Sequence, residues 1–131
     1  MQYEILIIED NLPTIRLLTT YFETKGFRSR GVISGKEGLE ELEKWLPKVI
    51  LLDLTIPDIN WYDMVKQIKE KNVPIFLFGN IKKTNVKVRT LMIIDVIPKP
   101  FSFEEFDVFL KYASRTVIDK ITLWEFNDKD K

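Results

Sequence analysis

Two runs of consecutive aliphatic residues, Ile5-Leu6-Ile7-Ile8 and Val49-Ile50-Leu51-Leu52, both end in acids: Glu9 and Asp10 after the first, Asp53 after the second. Short unbroken apolar runs read as strands buried on both faces, as in parallel sheets covered by helices. Further runs lie at 74–78 and 92–97, with a weaker one at 27–32, and helical patterns fall between them. The alternation predicts repeated βα units around one parallel sheet. In such a sheet, ligands collect outside the C-terminal strand ends where the strand order reverses. The acids stand where chemistry is expected.

Segment 13–25 opens with Pro13, carries Ile15, Leu18 and Phe22 on one face, and stops at Gly26. Ser34 with Glu37 forms a capping-box pattern before Leu39, Leu42 and Leu46, and Ser102 with Glu105 repeats it before the last helix. Segment 60–71 is helical through Met64, Val65 and Ile68, and 81–90, polar and β-branched, is the most weakly marked helix. The last helix is expected from Phe103 to about Phe126, roughly 36 Å long, so its final turns overhang the sheet. There Val117, Ile121 and Trp124 continue the stripe of Leu110 and Ala113, which predicts a homodimer contact or a seat for a partner helix. A plainer reading makes Trp124 a cap on the core.

One domain, 1–126, followed by a charged, frayed tail, 127–131, fits the 131-residue length. Met1 and that tail favour a complete gene product. Lys plus Arg and Asp plus Glu balance at 20 each, which argues against direct nucleic-acid binding. No apolar stretch approaches the ~20 residues that span a bilayer, and the start lacks the basic region of a signal peptide, so the expected location is cytoplasmic. The chain has no cysteine and no histidine. Disulfides, thiolate chemistry, imidazole zinc sites and Ser-His-Asp triads are excluded. A phosphoryl group arriving from a histidine must be carried by another protein.

Three carboxylates meeting in one crevice repel one another and raise each other's pKa unless a cation sits among them. Oxygen-only ligands at that charge density favour a hard divalent ion such as Mg²⁺. Lys99, at the end of the run 92–97, adds an ammonium, and the combination suggests phosphoryl chemistry. The bland alternative is a set of solvated strand-end charges or a structural ion-pair network.

With five βα units, the acid pair Glu9-Asp10, Asp53 after the third strand and Lys99-Pro100-Phe101 after the fifth, residues 3–118 resemble the receiver domain of two-component response regulators. The resemblance implies a flavodoxin-like doubly wound (βα)5 α/β fold with strand order 2-1-3-4-5. It implies that Asp53 is a phosphoacceptor, taking a phosphoryl group from a histidine kinase or a His-containing phosphotransfer protein. Asp10 and Asp53 would hold Mg²⁺ directly, Glu9 through water and Thr55 by its main-chain carbonyl, while Lys99 contacts the phosphoryl group. A cis Lys99-Pro100 bond and output by protein contact are also implied.

The chain departs from the family pattern at several places. Gly79, which a turn requirement would equally explain, stands where a switch serine or threonine is usual, and Val96 where a switch aromatic is usual. Both halves of the relay are missing. Trp61 replaces a common glycine and either covers the pocket in part or packs as an ordinary aromatic. Ile81, where the family tunes access of water, predicts slow loss of a phosphoryl group. Lys82, Lys83, Lys87 and Arg89 read equally as a solvated helix face or an acidic-partner site, and receive no role. The rival function is a phosphorylation-independent pseudo-receiver that acts by contact alone. Flavin or nucleotide binding is disfavoured, because Asp10-Asn11-Leu12-Pro13 has no glycine-rich phosphate cradle.

Overall fold

Each apolar run becomes a strand, and the helices between them cover both sides of the sheet. The computed structural model describes residues 3–81 and 92–114. In chain order the elements are β1 (Ile5–Ile8), α1 (Leu12–Thr24), β2 (Ser29–Val32), α2 (Gly35–Leu42), β3 (Val49–Asp53), α3 (Trp61–Ile68), β4 (Ile75–Phe78), β5 (Ile93–Ile97) and α4 (Asp107–Ala113). The five strands form one parallel sheet in the order β2-β1-β3-β4-β5, the expected flavodoxin-like arrangement. The expected helix at 81–90 apart from Ile81, the basic cluster within it, and the last helix beyond 114 with Val117, Ile121 and Trp124 lie outside the described residues.

The period of two in each strand builds two cores. Ile5, Ile7, Val49, Leu51, Phe76, Phe78 and Ile97 pack with Ile15, Leu18 and Phe22 of α1 and with Phe109 and Leu110 of α4. Leu6, Ile8, Ile50, Leu52, Ile75 and Leu77 pack on the other side with Leu42 of α2 and Met64, Val65 and Ile68 of α3. Phe22 is fully buried, and truncating a core phenylalanine to alanine typically costs about 3–5 kcal/mol. Advancing the same alternation past the strand ends puts Glu9, Asp53 and Lys99 on the α1/α4 side together. Ile8 pairs with Leu52, so the acids leave β1 and β3 at one level.

Local chemistry fixes how the helices begin and end. Asn11 caps α1, its side chain accepting from the Thr14 amide at 2.9 Å, and Gly26 at φ 90° turns the chain out of it. Helix α2 ends at Leu42, short of the predicted Leu46, which is 60% exposed. Pro47 disfavours helical backbone at the residue before it, so Leu46 cannot continue the stripe. Segment 60–71 splits into α3 and a tight 3-10 turn at Lys69–Lys71, closed by Asn72 in the left-handed region at φ 57°. The last helix is preceded by a 3-10 turn at Phe103–Phe106, where Glu105 accepts from the Ser102 amide at 2.8 Å. No helix among the described residues is long and apolar enough to cross a membrane.

Candidate phosphoryl site at the strand ends

Glu9 and Asp53 are each only 1% exposed. Burying two carboxylates is unfavourable unless each finds a cation or donors. Lys99 supplies both: its Nζ lies 2.7 Å from Glu9 Oε1 and 3.2 Å from Asp53 Oδ1. The Asn11 amide donates to Glu9 Oε2 at 3.0 Å. Both the Thr55 amide and the Thr55 hydroxyl donate to Asp53 Oδ1 at 3.2 Å. Asp10 is exposed, yet one oxygen from each of Glu9, Asp10 and Asp53 falls within 4.8 Å of the others. The sequence-predicted acids and lysine therefore converge on one cup.

Electrostatics inside the cup are unbalanced. Burial pushes the Glu9 carboxyl above its ordinary range and the Asp53 charge adds to that, while the Lys99 and Asn11 hydrogen bonds oppose it. Burial, more than the mutual repulsion expected from the sequence, is the main cause. Burial alone would lower the Lys99 pKa, but hydrogen bonds and charge from Glu9, then Asp53, outweigh it and leave the pKa raised. One ammonium thus pairs with two of the three carboxylates, and an all-oxygen set with excess negative charge fits a hard divalent cation.

The remaining predicted residues have surroundings of their own. The Lys99-Pro100 bond is cis. Gly79 adopts φ +138°, and a Cβ there would lie 3.1 Å from the Leu54 side chain. Its backbone geometry favours glycine, so a hydroxyl-bearing residue would be strained at this position. Val96 is buried in the α2/α3-side core, a packed aliphatic residue. Trp61 and Ile81 pack against that same core, and the Trp61 ring meets Tyr62 edge-on at 5.7 Å.

Sequence reasoning missed three contributors. Asn11 both caps α1 and holds Glu9, and its position directly before Leu12-Pro13 was a readable capping signal. Asp58 accepts from the Gly35 and Lys36 amides at 2.9 Å each, tying the loop after Asp53 to the start of α2. No local pattern announces a bond across 23 residues. Phe78 lies beneath Lys99, with Nζ 4.5 Å from its ring centroid.

Residues 5–111 match the model of the response regulator receiver domain family. Response regulator SaeR of Staphylococcus aureus is 31% identical over 105 residues, which are 77% of this chain and 46% of that protein. The chain thus spans about half the length of the curated relatives it matches. Among solved structures, a CheY-like receiver domain from Methylobacillus flagellatus aligns with TM-score 0.75 at 21% identity, over 87% of this chain and 100% of that one. A two-component response regulator from Clostridium difficile aligns with TM-score 0.76 at 20% identity, over 86% and 95% respectively. At those identities the structures speak for the fold alone.

Proposed function

We propose a function that starts from family membership: this chain belongs to the response regulator receiver domain family of two-component systems. Receiver domains interact with histidine kinases or phosphotransfer proteins, and we infer that this one accepts a phosphoryl group on Asp53. The supporting observation is the buried Asp53 carboxylate with Lys99 Nζ at 3.2 Å and the oxygens of Glu9 and Asp10 beside it.

In the proposed transfer, an Asp53 carboxylate oxygen attacks phosphorus of a partner's phosphohistidine. The P–N bond breaks with its electron pair on the imidazole nitrogen, leaving an acyl phosphate here and a free histidine on the partner. Lys99 meets charge that spreads over the equatorial phosphoryl oxygens, and the strand ends hold it in place before the donor arrives. Glu9, Asp10, Asp53 and the Thr55 carbonyl would hold Mg²⁺, which when bound neutralises further charge on the phosphoryl group. The glycine-favouring backbone at Gly79 and the packed Val96 support an output that does not use the usual hydroxyl and aromatic switch. Output then proceeds by contact with another protein.

Incubation with acetyl phosphate and Mg²⁺, read by intact mass, tests this reading. The expected result is a gain of one phosphoryl group in the wild type and none in Asp53→Asn. An inert wild type that still binds a partner stoichiometrically would replace it with the phosphorylation-independent module.

A further inference from the structure

Among the described residues, Lys99 is the only cation within ion-pair distance of Glu9 and Asp53, and its side chain keeps 33% exposure. A lysine stem is flexible and its ammonium strongly hydrated, so two carboxylate contacts alone leave it free to swing toward water. A third contact restrains it. The Phe78 ring, wholly buried, offers its face at 4.5 Å from Nζ to centroid, within the range of cation–π attraction.

The ring is itself held from every side. Phe78 ends β4 and pairs with Asp53 of β3 and Ile97 of β5, so alternation places it on the same face as Asp53 and Lys99. Phe101 and Phe106 contact it at 5.4 and 6.0 Å between centroids, and Phe106 is anchored in turn by Phe22 and Phe109. A rigid aromatic face also has a chemical advantage over a further carboxylate: it attracts the ammonium without adding negative charge to a cup that already holds three acids.

We propose that Phe78 is a positioning residue, whose ring face holds the Lys99 ammonium against Asp53 in readiness for the phosphoryl group. The role rests on the phosphoacceptor reading above. It assigns to an aromatic ring, next to a glycine that carries no hydroxyl, the task of fixing the charge at the pocket wall.

The test compares Phe78→Leu with Phe76→Leu, an equal truncation on the same strand and in the same core, whose ring meets Phe109 and Tyr112. Phosphorylation from acetyl phosphate at saturating Mg²⁺ should slow by about fivefold to thirtyfold in Phe78→Leu, in the maximal rate and not in the half-saturating donor concentration. Phe76→Leu should stay within about twofold of wild type at a temperature where both are folded. Should Phe78→Leu not fold, site-specific replacement of Phe78 by mono-, di- and trifluorophenylalanine keeps the shape while draining the ring face of charge, and the rate should fall stepwise. In metal-free wild type, the Lys99 ε-methylene protons should show an upfield ring-current shift that is absent from Phe78→Leu and kept in Phe76→Leu. Equal rates in the two leucine variants, a flat fluorine series, or unshifted methylene protons would overturn the proposal. A wild type that takes no phosphoryl group defeats the phosphoacceptor reading instead, and the proton shifts then decide by themselves whether the ring holds the ammonium.

Discussion

Two buried glutamates face opposite fates in this molecule. Glu41, 8% exposed, accepts from the Trp45 indole at 2.9 Å and from Arg30 Nε at 3.0 Å, with Lys44 Nζ at 3.8 Å. Those partners, the indole first and the guanidinium next, hold its carboxyl below the ordinary glutamate range. Glu9 has one ammonium and one amide, shares the ammonium with Asp53, and sits above that range. Satisfied, Glu41 pins α2 to β2. Glu9 is left with an electrostatic demand that its own fold does not meet. The contrast separates a carboxylate with several donors from one that shares a single ammonium, the difference on which the proposed Mg²⁺ role of Glu9 rests.

Removing the shared cation should test that contrast most severely. Lys99→Ala leaves Glu9 and Asp53 buried without a counter-charge, and metal-free stability should fall by about 2–4 kcal/mol, somewhat below a fully buried pair because Lys99 keeps partial exposure. Added Mg²⁺ should restore much of the loss in urea denaturation, since a bound cation stabilises only the folded state. A loss indifferent to Mg²⁺ would break the comparison. Next in size, Glu41→Gln gives up charge-assisted hydrogen bonds and should cost about 1.5–3 kcal/mol, with Mg²⁺ affinity by calorimetry unchanged. Glu9→Gln should reverse that pattern, weakening Mg²⁺ binding at least about tenfold at little cost in metal-free stability.

Much of this was legible in the chain before any coordinates. The βα alternation and the two-sided core follow from the apolar runs, and period-two geometry carries Glu9, Asp53 and Lys99 to one face, whereas the strand order that sets β1 beside β3 rests on the resemblance to receiver domains. Helix limits were less legible. Leu46 fits the helical stripe of α2 by spacing, but Pro47 overrides the spacing. Contacts between segments were illegible: Asp58 on the α2 amides and Phe78 under Lys99 depend on loop and register geometry that no local pattern encodes. Gly79 reads both as a missing hydroxyl and as a turn requirement, and its positive φ supplies the backbone reason for the second.

Asp58 supplies an intermediate case, an exposed acid satisfied by two backbone amides. Those amides, that of Lys36 foremost, hold its carboxyl below the usual range. Asp58→Ala should cost about 1 kcal/mol, as loss of a helix cap does. It should also slow phosphorylation of Asp53 modestly by loosening the intervening loop. Full stability loss with an unchanged rate would confine Asp58 to structure.

The smallest effect is also the most discriminating, because its sign differs between the two glutamates. Glu9 titrates above 4.5 in the folded chain, so the native state binds that proton more tightly than the unfolded state. The cost of its buried charge is present above the folded pKa and disappears as pH falls toward 4.5. Glu41 titrates below 4.5 when folded. Its stabilisation is complete above 4.5 and is lost as pH falls through the folded pKa. Unfolding free energies measured in chelator from pH 7 downward should therefore show wild type gaining on Glu9→Gln and losing to Glu41→Gln. Over the range where Glu9 takes up its proton, Mg²⁺ affinity of the wild type should decline as well, since proton and metal compete for one carboxylate. Difference curves of the same sign would mean that Glu9 is as fully satisfied as Glu41, and the cup would then be an ion-pair network with no demand for a cation.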